Sequence, residues 1–242
     1  MTALLEVRKL SRAFGPLWAV RDVSFAVQPG ELLGLIGPNG AGKSTLYNLI
    51  AGVLPPTAGE AVFEGRAISR WKPYHVARAG IARTFQIPKP YRHLTVIENV
   101  ALSAMLHDKS VAAARKSAEM VLADVGLADY AGAQVSVLTA GLLKRLEVAR
   151  ALALKPRLVL FDEIMAGLTP AEVKVMTEMV AGLPARGITV IWVEHVLYAI
   201  MKAAHRILVL HRGELIADGA PERIARDPAV IKAYLGEEMS LA

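Results

Sequence analysis

The chain has 242 residues and no cysteine, which excludes disulfides, thiolate catalysis and zinc–thiolate sites and leaves oxygen or imidazole to hold any metal. Its formal net charge of +6 favours anionic partners such as a nucleotide or an anionic membrane leaflet; the basic residues are scattered without interleaved aromatics, which argues against nucleic acid. Hydrophobic residues make up 54% of the chain, yet its apolar runs, such as 188–193, stop far short of the roughly 20 residues that cross a bilayer. The charged opening Met1-Thr-Ala-Leu-Leu-Glu-Val-Arg-Lys lacks the apolar core of a secretory signal, so a cytosolic chain built on one large α/β domain is expected.

In chain order, short β-rich stretches at 4–7, 23–27, 31–36 and 61–63 are separated by Pro-Gly, Gly-Pro and Glu-Gly turn signals and predict a mixed sheet. From about 96 to 153 the pattern becomes helical, with Leu142, Leu146, Ala149 and Ala153 at helix spacing, which predicts a helical insert. Two unbroken apolar runs, 158–161 and 188–193, flank a helical stretch at 170–183, the βαβ pattern of a buried parallel sheet. His211-Arg212-Gly213 between 207–210 and 214–217 predicts a hairpin, and a helical tail follows over 221–235.

The sequence Gly37-Pro38-Asn39-Gly40-Ala41-Gly42-Lys43-Ser44 has the spacing of a phosphate-binding loop and lies between an apolar strand and a helical run, as that loop requires. Glycines let successive backbone N–H groups turn toward one anion, and the helix N-terminus adds positive partial charge. Lys43 is expected to reach the β- and γ-phosphates and Ser44 to offer its hydroxyl to Mg²⁺; Thr45 completes the expected nucleotide contacts. The loop alone leaves kinases, GTPases, helicases and transport ATPases open. Asp162-Glu163 ends the first buried run, where a doubly wound sheet gathers its ligand chemistry; one carboxylate can order the Mg²⁺ shell while the other polarises an attacking water. His195 ends the next run.

Taken together and in this order, these motifs resemble the nucleotide-binding subunit of an ABC transporter over essentially the whole chain. The resemblance implies an α/β P-loop NTPase fold of ABC type: a mixed parallel-sheet core with an antiparallel β subdomain and a helical insert. The domain would span 4–236, with the insert at about 90–153 and a short tail at 237–242. It implies ATP and Mg²⁺ as ligands, Phe14 as the aromatic that stacks on adenine, and Gln86 as the glutamine that touches Mg²⁺ and senses the permease, with 87–94 lining the permease groove. Asp162, Glu163 and His195 match the Mg²⁺ aspartate, the catalytic glutamate and the γ-phosphate histidine. Where the family usually has L-S-G-G-Q, this chain reads Leu138-Thr139-Ala140-Gly141-Leu142; Thr139 keeps a hydroxyl and Gly141 a bare backbone for a partner's γ-phosphate.

The stretches Arg83-Thr84-Phe85-Gln86 with Leu94-Thr95-Val96-Ile97-Glu98-Asn99-Val100, Met165-Ala166-Gly167-Leu168, Glu194-His195 and the tail from Asp227 resemble most the subunits of importers for branched-chain and other hydrophobic amino acids. Urea importers and lipopolysaccharide exporters have similar subunits, and a non-transport ABC ATPase is the remaining alternative, though such proteins are expected to carry two motor domains or long heptad insertions that this chain lacks. The implied assembly is a second ATP-binding subunit, the same or related, two transmembrane permease subunits and, indirectly, a solute-binding protein, at the cytoplasmic face of the cell membrane.

Overall fold

The computed structural model describes residues 2–238. The elements in order are β1 (Leu5–Phe14), β2 (Leu17–Val27), β3 (Leu32–Ile36), α1 (Lys43–Ile50), β4 (Ala58–Phe63), β5 (Arg66–Ala67), α2 (Pro73–Ala79), β6 (Ile81–Arg83), α3 (Val96–Ala104), α4 (Val111–Asp124), α5 (Ala140–Ala153), β7 (Leu158–Asp162), α6 (Pro170–Ala181), β8 (Thr189–Val193), α7 (Leu197–Ala203), β9 (Arg206–His211), β10 (Glu214–Gly219), α8 (Pro221–Ile224) and α9 (Pro228–Glu238). Helix α9 thus continues two residues into the tail expected at 237–242, and 239–242 lie outside the described residues.

Two sheets form, an antiparallel one in the order β2-β1-β4-β5 and a six-stranded one in the order β10-β9-β3-β8-β7-β6, parallel except for β10. The uninterrupted apolar strands of the second sheet are explained by cover on both faces. Leu33, Leu35, Leu158, Leu160, Ile191 and Val193 pack with α1 and the antiparallel sheet, while Leu32, Val159, Phe161, Val190 and Trp192 pack with α3 to α7 on the other face. Parallel pairing brings the carboxyl ends of β3, β6, β7 and β8 to one edge, where the phosphate loop, Gln86, Asp162-Glu163 and His195 all begin.

The first strands are longer than expected. β1 and β2 meet through Gly15-Pro16, with Phe14 opposite Leu17. Gly15 has φ +59° and proline holds φ negative, the sign pattern of a type II′ hairpin turn, whose twist suits the strands it joins. The expected tail helix is broken into α8 and α9, because Pro228 disfavours helical backbone at Asp227.

The insert packs α3, α4 and α5 together, and it grips the segment that links β6 to α3. Asn99, fully buried on α3, accepts from the Tyr91 N–H at 2.8 Å and donates to the carbonyls of Tyr91, Leu94 and Thr95 at 3.1, 3.3 and 2.9 Å. Glu147 and Arg150 of α5 bind the Lys89 N–H and carbonyl at 3.1 and 2.9 Å. Asn99→Leu leaves the part-buried Tyr91 N–H without its acceptor, so it should destabilise the chain by about 1–2 kcal/mol in urea unfolding. Amide exchange at Tyr91 should quicken more than in α4.

Candidate nucleotide and catalytic site

The phosphate loop is shaped by close backbone approach rather than by glycine content as such. A Cβ on Gly42 would lie 2.2 Å from the Ala19 carbonyl oxygen, and one on Gly37 would lie 2.1 Å from the Leu210 carbonyl oxygen. Both glycines have positive φ, 103° and 151°. The loop is therefore braced by β2 on one side and the end of β9 on the other, and Gly213 in the β9–β10 turn adds an N–H to the Ala41 carbonyl at 3.0 Å. Lys43 is buried, and its Nζ donates to the loop carbonyls of Gly37 and Pro38 at 2.6 and 2.9 Å. Reaching a phosphate requires those bonds to be exchanged. Ala19, Asn39, Gly40, Ala41, Gly42, Lys43, Ser44, Thr45 and Glu163 line one open cavity of about 200 Å³.

Glu163 joins this loop to the other expected residues. Its Oε2 accepts from Gln86 Nε2 at 2.5 Å and its Oε1 from His195 Nε2 at 2.8 Å. Glu163 has φ +50°, a left-handed backbone that turns the chain sharply off β7, and its N–H is held by the Val193 carbonyl at 2.9 Å. The preceding Asp162 is buried, 3.6 Å from Arg83, whose other nitrogen donates to Asn48 at 2.7 Å. Burial pushes the Asp162 carboxyl above its usual range, and Arg83 offsets only part of this.

Among the described residues no three His, Asp or Glu side chains converge to hold a metal unaided. The donors at this edge are Ser44 Oγ, the incompletely compensated Asp162 carboxylate and, with its nitrogen committed to Glu163, the Gln86 side-chain oxygen. An all-oxygen set of this kind fits a hard divalent cation that takes the rest of its shell from phosphate and water.

Phe14 stands at the tip of the β1–β2 hairpin with 45% of its surface exposed and the Arg12 guanidinium 4.8 Å from its ring centre, so it is not a core aromatic. Thr139 and Gly141 do not line the loop cavity. Thr139 caps α5, accepting from the Leu142 N–H at 3.3 Å. Gly141 is buried against Glu172 of α6, whose carboxylate oxygen lies 2.1 Å from where a Cβ would be. The bare backbone at Gly141 thus has a reason within the chain, alongside the one expected from a partner's phosphate.

Three residues take roles at the site or behind it that the sequence did not assign to them. Lys144 is buried on α5, and its Nζ donates to the carbonyls of Gln86 at 2.6 Å and Glu163 at 3.1 Å. Burial lowers the Lys144 pKa, while the surrounding carboxylates Glu194, Glu163, Glu147 and Asp162 resist the change. Glu194 is 2% exposed; its Oε1 accepts from the Met165 N–H at 2.9 Å, and the Trp192 side chain and the His195 backbone also face its carboxylate. Burial raises the Glu194 carboxyl from 4.5 to about 7. A charged residue closing an all-apolar strand was the available signal for Glu194. Asn99, buried among apolar neighbours, offered no comparable one.

Two stability predictions follow from these contacts. Gly141→Ala must shift the Glu172 carboxylate, whose other oxygen makes the capping box with Thr169, and should cost up to about 1 kcal/mol as that box is disturbed. In a Glu172→Ala background the same change should cost almost nothing, measured by urea unfolding. For Glu194, below pH 4.5 the carboxyl is neutral in folded and unfolded chains alike. Between 4.5 and about 7 the folded chain keeps a proton that the unfolded chain has lost, so stability falls as pH rises through this window and stays reduced above it. Glu194→Gln, which keeps the acceptor for Met165, should therefore gain on the wild type by about 3 kcal/mol between pH 4 and pH 8.

Comparison with known proteins agrees with this geometry. A family model described as ABC transporter matches residues 20–166, and one described as branched-chain amino acid ATP-binding cassette transporter matches residues 214–239. The chain is 36% identical to the high-affinity branched-chain amino acid transport ATP-binding protein LivG of Escherichia coli (strain K12), covering 97% of this chain and 98% of that one. It is 32% identical to the lipopolysaccharide export system ATP-binding protein LptB of Acidithiobacillus ferridurans, covering all of both. Among solved structures, the ADP conformation of an ATP-binding cassette of an ABC transporter superposes with a TM-score of 0.88 at 30% identity over 98% of this chain and all of that one. A nucleotide-free cassette gives 0.87 at 29% identity over 96% and 99%. With its phosphate loop, its strand-end carboxylates and these relatives, the chain belongs to the ABC transporter family, as a subunit that binds and hydrolyses ATP.

Proposed function

We propose that this chain energises uptake of branched-chain or other hydrophobic amino acids, with Glu163 as the base that activates water. The observation that carries the catalytic part is Glu163 itself, held between Gln86 and His195 while lining the cavity of the phosphate loop. Its carboxylate accepts the proton of an attacking water, His195 donates toward the γ-phosphate, and Lys43 with the loop N–H groups binds the phosphate chain. Phe14 offers a face to adenine. Ser44, Asp162 and Gln86 would hold Mg²⁺, which when bound supplies Lewis-acid polarisation of phosphate oxygens.

Family membership brings partnership with transmembrane components and pairing of two ATP-binding units. In the reading offered here the pair is this chain with a same or related ATPase, and Thr139 and Gly141 cap the nucleotide bound by the partner. The pair serves two permease subunits supplied by a solute-binding protein, at the cytoplasmic face of the membrane. Exposed Phe85, Ile87 and Tyr91, carried on the segment that Asn99, Glu147 and Arg150 fasten to the insert, support its role as the permease-facing groove. No helix among the described residues is long and apolar enough to cross a membrane. The amino-acid assignment is supported by the match at 214–239 and the likeness to LivG; the likeness to LptB supports a second reading, lipopolysaccharide export.

Glu163→Gln, purified with its partner ATPase and permeases, should keep ATP affinity while hydrolysis falls by two or more orders of magnitude. Near-normal turnover would refute the assignment. Leucine uptake into vesicles carrying the wild-type complex, absent with the variant, separates amino-acid import from the export reading.

A further inference from the structure

The strand-end carboxylates and the phosphate loop account for most charge at the site, but one buried cation belongs to neither. Lys144 lies in the second turn of α5, just after the 138–142 segment, and reaches across to the backbone carbonyls of Gln86 and Glu163, which follow β6 and β7. These are the same two residues whose side chains meet at Glu163 Oε2. A closed ring results: Lys144 joins the two backbones and the amide–carboxylate hydrogen bond joins the two side chains.

The ring matters because the backbone of Glu163 is in a conformation that a residue with a Cβ adopts only when its surroundings over-determine it. Three contacts do so. The Val193 carbonyl holds the N–H of Glu163, Lys144 holds its carbonyl, and Glu194 holds the N–H of Met165 two residues on. The first and third come from β8 and its end. Only Lys144 comes from the helical insert.

We propose that Lys144 is a positioning residue for ATP hydrolysis, fixing the carboxylate of Glu163 beside Gln86 and tying its placement to the helical insert. The inference rests on the reading of Glu163 as the base. Its chemistry is that of a cationic donor shared by two carbonyls, so the side chain needs both reach and hydrogen-bond donors, and charge alone would not replace it. Because α5 starts at the loop expected to cap a partner's nucleotide, displacement of the insert is transmitted to Gln86 and Glu163 through this side chain.

The test uses the full chain with its partner ATPase and permeases for turnover, and the full chain alone for binding of a fluorescent ATP analogue. Lys144→Met keeps length and removes the donors; it should lower kcat at least ten-fold and leave nucleotide affinity within two-fold. Lys144→Arg, which restores cationic donors, should recover a third or more of wild-type kcat. A residue that only stabilised the fold would lower affinity and folded yield together, with no such split. Should Lys144→Met not fold, Lys144→Gln takes its place and at least a three-fold loss of kcat with unchanged affinity is expected. Normal kcat in whichever of these two is measured, or an affinity loss as large as the kcat loss, overturns the positioning role. Normal turnover in Glu163→Gln, measured alongside, instead overturns the base assignment and with it the route by which Lys144 acts.

Discussion

The turn at Glu163 is the constraint around which the site is organised. A parallel strand buried on both faces ends at Asp162, and the next residue must leave the sheet at once, with its side chain directed to the edge where the phosphate loop lies. A left-handed backbone achieves that, at a conformational cost on the order of 1 kcal/mol for a residue with a Cβ. The cost is sustained because Val193 and Lys144 hold the N–H and carbonyl of Glu163 and Glu194 holds the N–H of Met165. The same arrangement places one carboxylate within reach of an amide from the β6–α3 link and an imidazole from the end of β8. Three chain segments far apart in sequence are thereby held to one pair of oxygens.

Much of this was legible from the sequence because the chemistry demands specific residues at fixed spacing. The glycines of 37–42 announce a backbone that must pass close to other atoms, and the contacts from Ala19 and Leu210 are the physical reason. The all-apolar runs announced a doubly covered sheet, and alternate residues of β7 and β8 do face opposite layers. What was hidden falls into two kinds. β1 and β2 carry Arg8, Lys9, Arg21 and Asp22 on exposed positions and a half-buried Arg12, and these charges masked strands twice as long as the apolar residues suggested. Lys144, Glu194 and Asn99 were hidden for a different reason: a polar residue inside an apolar pattern declares that it needs partners without saying where they are. Lys144 finds one of them 58 positions away.

The loop at 138–142 shows how two explanations can share a residue. Thr139 serves as an ordinary helix cap, and Gly141 makes room for a carboxylate of α6, so both residues have tasks in the isolated chain. Neither task conflicts with capping a nucleotide across a dimer. The consequence is that tolerance at Gly141 cannot be read as a measure of nucleotide contact alone, and the neighbouring Glu172 has to be considered with it.

The hairpin that carries Phe14 packs hard against the phosphate loop. Ala19 lies only five residues beyond Phe14, and its carbonyl is packed where Gly42 has no side chain, while the N–H of Arg21 is pinned to the Gly213 carbonyl at 2.8 Å. The strand that follows the aromatic tip and the loop 37–42 are consequently braced against each other. On the proposed reading, in which Phe14 stacks on adenine and the loop holds the phosphates, that brace sets the span between ring and cradle before ATP binds.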